Sequence, residues 1–116
     1  MRLRIVTPRE IRLDVAVRRI VAEAPGGAFG MLPNHIDYVS QLAAGLLVYE
    51  DTDGQERYVG LTQGTLVKQG EEVLVSTRNA ILGDDPAAVR ARVAEEFRRI
   101  EETERAERAA LARLEL

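Results

Sequence analysis

The 116-residue sequence predicts a mainly β fold with an α-helical tail: an antiparallel β-sandwich or barrel, followed by a C-terminal helix or a short helix hairpin. Up to about Gly83, apolar residues recur with period two or in short β-branched runs separated by glycine. No helical period lies between these runs, which favours antiparallel strands. After Pro86 there is neither glycine nor proline. We therefore predict a β-sandwich domain at residues 1–83 and a helical tail at residues 84–116.

The strands are predicted from alternation and turn residues. Leu3 and Ile5 alternate with arginines, as expected of a strand with one buried face. Residues 46–51 and 56–61 are predicted to pair as a hairpin, because the Asp53-Gly54 sequence between them favours the positive φ angles of a two-residue turn. Residues 65–68 and 72–78 form a second predicted hairpin. In this hairpin the residues expected on one face are Val73, Val75 and Thr77.

The tail begins with helix-start signals. Asp85 is a good N-cap and Pro86 suits the first helical turn. An apolar stripe follows, formed by Val89, Val93, Phe97 and Ile100, and it either packs on the sandwich of the same chain or binds a partner. Supporting i to i+4 ion pairs are expected between Glu95 and Arg99, Glu101 and Arg105, and Glu104 and Arg108. Either one continuous helix of about 45 Å or a hairpin with a second cap at Thr103 fits the pattern.

Charge and composition exclude several classes of protein. The net charge is −3, but six arginines against two acids give the first 20 residues +4, while residues 21–85 carry −7 and the tail is neutral. The basic start has no aromatic residue, so nucleic acid is not a favoured partner. Without cysteine there is no disulfide or thiol nucleophile. The longest apolar stretch, residues 42–49, is too short for a membrane helix, and we expect neither a membrane span nor an export signal.

The residues offer little for catalysis. His35 is the only imidazole, and with Asp37 it supplies two potential metal ligands where three or four are usual. Neither serine lies in a nucleophile elbow, and the glycines at 26–30 lack the lysine of a phosphate loop. We therefore expect a non-enzymatic protein without cofactor or metal. Two alternatives are a stand-alone sandwich that binds a peptide or small ligand and oligomerises through its tail, and a small metal-dependent enzyme centred on His35.

The segment Gly26–Gln41 combines glycines, a proline and several apolar residues on a predicted loop. Apolar loop residues either cover a core or contact a partner. This segment, with Phe29-Gly30, Met31, Leu32-Pro33-Asn34-His35 and Tyr38-Val39-Ser40, resembles the epsilon subunit of F-type ATP synthases. Asn34 stands where that family usually has glycine, and asparagine tolerates the left-handed region. The segment Thr62-Gln63-Gly64-Thr65-Leu66 resembles the stretch of two glycines and an apolar residue with which a later strand of that family begins, with Gln63 in place of one glycine. Asp37 replaces a common proline and resembles an alternate branch often linked to sodium, which leaves proton and sodium transport as alternatives.

The resemblance implies a ten-stranded β-sandwich and a C-terminal helical piece on the central stalk of the rotor. It also implies a non-catalytic role that couples ATP synthesis or hydrolysis to ion transport, at the cytoplasmic face of the cell membrane and peripheral to it. The gamma subunit and the polar loops of the c-ring would be partners of the sandwich. The residues implied in those contacts are Phe29, Met31, Leu32, Pro33, Asn34, His35, Asp37, Tyr38 and Ser40.

The resemblance further implies that the tail regulates ATP hydrolysis by folding against the sandwich or extending into the alpha/beta catalytic head. The arginines implied in contacts with acidic helices of the head are Arg98, Arg99, Arg105 and Arg108, and such contacts weaken with salt. Some relatives bind ATP through a motif of an apolar residue, Asp, two residues, Arg and Ala. Here Arg90-Ala91 is present, but Ala87 stands in place of the aspartate, so no nucleotide cofactor is predicted.

Overall fold

A computed structural model describes residues 1–114 and shows, within them, nine β-strands followed by one α-helix. The strands are β1 (Arg2–Val6), β2 (Ile11–Ala24), β3 (Gly27–Met31), β4 (Tyr38–Leu42), β5 (Gly45–Asp51), β6 (Glu56–Leu61), β7 (Gly64–Gln69), β8 (Glu72–Thr77) and β9 (Ala80–Gly83), and the helix is α1 (Pro86–Leu114). The predicted mainly β fold with a helical tail is confirmed.

The strands form two sheets that share β2. The sheet that we call sheet 1 has the order β4-β7-β8-β1-β2, and sheet 2 has the order β3-β2-β5-β6-β9. The first part of β2 pairs with β1 in sheet 1, and its second part pairs with β3 and β5 in sheet 2. The register of β2 against β5 shifts between Val17 and Arg19. The resemblance implied ten strands. The described residues have nine, and one of them, β2, is a continuous strand that serves both sheets.

The sandwich alternative is the one observed. The strands β3, β4 and β9 each pair with one neighbour among the described residues, so the sheets stay open. The pairing is antiparallel except between β1 and β8, which are parallel. The long chain segment between β1 and β8 makes a parallel neighbour possible. The core between the sheets includes Leu3, Ile5 and Leu47, and Val73, Val75 and Thr77 of β8 face it as predicted.

The predicted hairpin of β5 and β6 is present, but its turn differs from the expected one. The Asp51 amide donates to the Gln55 carbonyl (2.9 Å), the Gly54 amide donates to the Asp51 carbonyl (3.1 Å), and only Gly54 in this loop has a positive φ, of 83°. This is a longer loop closed by a glycine in the left-handed region, not a two-residue turn. The Asp51 carboxylate fixes it by accepting from the amides of Asp53 and Gln55, both at 3.0 Å.

The tail is a single helix. Asp85 caps it as predicted, since its carboxylate accepts from the Ala87 amide (3.2 Å) and its carbonyl from the Val89 amide (3.0 Å). At about 1.5 Å per residue, the 29 residues of α1 span about 44 Å. Thr103 lies inside the helix, so the hairpin alternative is not observed among the described residues.

The first turns of α1 pack on the outer face of sheet 2. Val89 and Val93 are buried there against Leu46 and Ile81. Gly60 makes the approach possible, because a Cβ at this position would overlap both valines. Gly83 plays the same part beside Val89. Of the two alternatives for the apolar stripe, its first half therefore packs on the sandwich of the same chain.

The ion pairs of the helix are not the predicted ones. Arg98 pairs with Glu95 and Arg99 with Glu96, both at 2.9 Å and at a spacing of three residues. Glu104, expected to pair with Arg108, lies 3.7 Å from Arg78 of the sandwich. Arg90 similarly reaches Glu23 of β2 at 3.0 Å. The observed ion pairs therefore differ from the predicted ones, and two of them, Arg78–Glu104 and Arg90–Glu23, join the helix to the sandwich.

Candidate functional site: an apolar bend and an uncovered sheet face

The segment between β3 and β4, which we call the bend, comprises residues 32–37. The His35 amide donates to the Leu32 carbonyl (2.9 Å), closing a turn with Pro33 and Asn34 at its centre. Neither central residue has a positive φ, so this is a type I turn, for which proline at the second position is well suited. The expectation that Asn34 uses its tolerance of the left-handed region is wrong, because a type I turn does not require that region.

The bend and the start of β4 expose apolar side chains. Leu32 is 58% exposed, Ile36 77% and Val39 68%, and Tyr38 is also partly exposed. Isolated exposed apolar residues are ordinary, but these four lie within eight residues of one another on one segment. Such a concentration of exposed apolar side chains on one short segment is suited to contact with another protein.

Other residues of the predicted site support this surface from below. Met31 is only 1% exposed and lies in the core, while Phe29 is half-buried against it. The rings of Phe29 and Tyr38 meet edge to face, with centroids 5.7 Å apart. Ser40 is half-buried and its hydroxyl donates to the Gln41 carbonyl (2.9 Å). The structure therefore brings the predicted set together around one bend, with some members exposed and others beneath it.

His35 and Asp37 are held by the backbone. His35 Nδ1 lies 2.8 Å from the Ile36 carbonyl oxygen, a contact in which the nitrogen must donate. Its ring packs against Tyr38, with centroids 5.4 Å apart. An Asp37 carboxylate oxygen accepts from the Gly70 amide at 2.8 Å. Among residues 1–114 no group of three potential metal-ligating side chains occurs.

Lys68 also belongs to this site, although the sequence analysis did not select it. It lies on β7 in register with Tyr38 and is only 3% exposed. Its ammonium donates to the carbonyls of His35 (2.6 Å) and Gly70 (2.5 Å). The signal was present in the sequence, since Leu66 and Lys68 are two residues apart and strand residues at this spacing share a face.

The outer face of sheet 1 continues the apolar surface away from the bend. Val39, Val67 and Leu74 are paired across β4, β7 and β8, and the row then passes to Arg4 and Asp14. Val39 and Leu74 are exposed, and no other element of the described residues covers this face. A hydrogen bond from Arg2, 2.6 Å away, together with the charges of Arg2 and Arg4, lowers the pKa of Asp14 below its ordinary value.

Although Glu104 still pairs with Arg78 of the sandwich, the buried residues of the described tail end at Val93. Beyond that point a cleft of about 680 Å³ opens between the helix and the sandwich end that includes the β1–β2 loop. Leu111 and Leu114 are exposed, and so are the predicted contact residues Arg98, Arg99, Arg105 and Arg108. Arg105 and Arg108 have no carboxylate within 4.0 Å in the part of the chain that the structure describes.

Two sheets joined by a shared strand, an exposed apolar bend and a projecting helix define a β-sandwich subunit that presents surfaces to other chains. The family model for the β-sandwich domain of the ATP synthase delta/epsilon chain matches residues 1–83. Over 95 residues the chain is 33% identical to ATP synthase epsilon chain 2 of Paraburkholderia xenovorans, covering 80% of this chain and 68% of the relative. Over 88 residues it is 38% identical to the ATP synthase epsilon chain of a Sulfurovum species, covering 73% and 68%.

A solved structure gives the same result. A chain of the Euglena gracilis mitochondrial ATP synthase, in a structure of OSCP, F1 and c-ring, superimposes with a TM-score of 0.65 at 25% identity, covering 83% of this chain and 62% of that one. The chain belongs to the ATP synthase delta/epsilon family. The predicted identity as an epsilon subunit of the ATP synthase central stalk, a non-catalytic part of a membrane-associated complex, is confirmed. No helix within residues 1–114 has the length and apolar character needed to cross a membrane.

Proposed function

We propose that the sandwich, residues 1–83, attaches the chain to the gamma subunit and to the polar loops of the c-ring, and that the tail, residues 84–116, regulates ATP hydrolysis through the alpha/beta head. The chain then works at the cytoplasmic face of the membrane without entering it. The observation that carries the proposal is the concentration of exposed apolar side chains on the bend and on β4, where Leu32, Ile36 and Val39 are each more than half exposed.

The chemistry of the bend fits a division between the two partners. Its apolar residues and the row of Val39, Val67 and Leu74 suit a protein surface that stays bound, because burial of apolar area is the main source of lasting affinity. Asn34 and Asp37 at the same end of the sandwich suit polar loops. The two-sheet body can transmit torque from one partner to the other because its interior is closely packed.

Ile36→Asp tests the sandwich part of the proposal. We expect this variant to fold normally and to lose most of its co-purification with the gamma subunit, since it places a charge in the middle of the apolar surface. Ile11→Asp is the matched control, because Ile11 is also an exposed isoleucine but lies at the opposite end of the sandwich. Equal recovery of gamma with both variants would contradict the proposal, and a self-associated chain that ignores gamma would favour a stand-alone binding module instead.

The tail part rests on the change in packing at Phe97. Val89 and Val93 are buried against sheet 2, whereas the described turns after Phe97 have no buried residue and carry Arg98, Arg99, Arg105 and Arg108. The later turns can reach acidic helices of the head while the first turns stay packed on sheet 2.

A chain that ends at Phe97 tests this part. It keeps the packed turns and removes the exposed ones, so we expect unchanged assembly and faster ATP hydrolysis by the complex. The full-length chain with glutamine at the four arginines is the companion variant, and its effect should be largest at low salt. If both complexes hydrolyse ATP at the wild-type rate, the tail does not inhibit.

A further inference from the structure

Lys68 occupies a position that normally belongs to an apolar residue. Its cross-strand neighbour on β8 is Val73 and the next residue in that row is Leu3, both in the core. Lysine is almost never fully buried unless its ammonium is paired, because removing the charge from water is costly. Within residues 1–114 the ammonium donates only to backbone carbonyls, those of His35 and Gly70.

The two carbonyls belong to different loops. His35 lies in the bend, and Gly70 lies in the turn between β7 and β8. Asp37 strengthens the same connection from the other side, because its carboxylate accepts from the Gly70 amide. Lys68 and Asp37 therefore tie the end of the bend to a rigid hairpin turn through three hydrogen bonds, each with a charged group on one side.

We infer that Lys68 and Asp37 form a polar staple that fixes the shape of the bend and makes Lys68 a positioning residue for partner binding. The inference rests on the proposed role of the bend in binding gamma. Between β3 and β4 the bend has no ladder of strand hydrogen bonds to hold it. A staple that keeps it in the binding shape lowers the ordering cost of association, and its loss reduces the fraction of chains that are competent to bind.

Lys68→Met tests the inference in the free chain and in the complex. Methionine fills a similar volume in the core but cannot donate to either carbonyl. We expect faster hydrogen exchange at the amides of His35 and Gly70, and about tenfold weaker binding of the gamma subunit. The Gly54 amide, hydrogen-bonded within the distant β5–β6 hairpin, is the internal reference and should exchange at the wild-type rate.

A pair of variants at Asp37 keeps the test independent of the core. Asp37→Asn retains an oxygen that can accept from the Gly70 amide, whereas Asp37→Ala does not. We expect Asp37→Ala to bind gamma several-fold more weakly than Asp37→Asn does. If Asn binds as weakly as Ala, Asp37 acts through its charge on the partner and the staple is wrong.

Ile36→Asp distinguishes a failure of the staple from a failure of the proposed binding surface. If that variant loses gamma while Lys68→Met and Asp37→Ala bind like wild type, the bend is the binding surface but the staple does not position it. If Ile36→Asp binds normally, the proposed surface itself is wrong. In that case the exchange rates at His35 and Gly70 still decide whether the staple fixes the bend, and unchanged rates would overturn it.

Discussion

The two outer faces of the sandwich differ in how their apolar residues are covered. On sheet 2, Leu46 and Ile81 are buried by Val89 and Val93 of the helix, and Gly60 lets the helix approach. On sheet 1 the corresponding outer row of Val39, Val67 and Leu74 has no covering element among the described residues. One chain thus completes one face by itself and leaves the other open.

Only the covered face uses its outer apolar residues to stabilise the free chain, and in the proposed function those of sheet 1 are available for binding. A helix that covers sheet 2 removes apolar area from water in the free subunit, so its valines act as core residues. The row on sheet 1 includes the exposed Val39 and Leu74 and therefore contributes little to the stability of the free chain. Substitutions on the first face should therefore change folding, and equivalent substitutions on the second should change binding.

The largest expected effect is at Val93. Val93→Asp buries a carboxylate with no cationic partner, and we expect the free energy of unfolding to fall by about 3 to 5 kcal/mol, or the helix to leave the sheet. Val39→Asp is the same substitution on the open face, and its cost should be less than about 1 kcal/mol. Urea unfolding gives both values, and hydrogen exchange at the Val89 amide reports release of the helix. Equal losses for the two variants would remove the contrast between the faces.

A smaller effect is expected where the helix touches the sheet backbone. The Cβ of Gly60→Ala would overlap Val89 and Val93, so the helix must shift and stability should fall by about 1 to 3 kcal/mol. Gly26→Ala is the control, because a Cβ there meets nothing within 4 Å. Its effect should be within about 0.5 kcal/mol in the same unfolding experiment. A Gly60 variant as stable as the Gly26 variant would mean that the helix does not pack this closely.

Much of this architecture could be predicted from local patterns. The alternation of Leu3 and Ile5, the faces of β8 and the cap at Asp85 each depend on residues that are close in sequence, and each was confirmed. The bend was found for a similar reason, because glycine, proline and apolar residues occur together in one short segment.

The features that were missed depend on contacts between distant residues. Glu104 pairs with Arg78 because folding brings the β8–β9 connection beside the helix, which helical spacing alone does not reveal. The parallel pairing of β1 with β8 and the sharing of β2 between sheets likewise depend on contacts between residues that are distant in sequence. For Lys68 the sequence indicates only that it shares a face with Leu66, whereas the carbonyls of His35 and Gly70 that accept from its ammonium are brought beside it by folding.

The smallest expected effects are changes in how the free energy of unfolding depends on pH. They involve one carboxylate from each sheet. Asp14 lies on the open face beside Arg2 and Arg4, and Asp51 caps the β5–β6 loop of the covered sheet. Hydrogen bonds from Arg2 in the first case and from the Gln55 amide in the second lower each pKa below the ordinary 3.8. Because the folded pKa is the lower one, each group contributes stability above 3.8 and loses that contribution as the pH falls through the folded value.

We therefore expect the unfolding free energy to fall between about pH 5 and about pH 2, and to fall less in Asp14→Asn and in Asp51→Asn. Asparagine at position 51 still accepts from the Gln55 and Asp53 amides, so the loop should persist and only the acid dependence should change. If gamma covers sheet 1 as proposed, the contribution of Asp14 should change in the complex while that of Asp51 stays the same, because only Asp14 lies on the open face. If the contributions of Asp14 and Asp51 to the pH dependence of unfolding change equally in the complex, gamma does not bind on sheet 1.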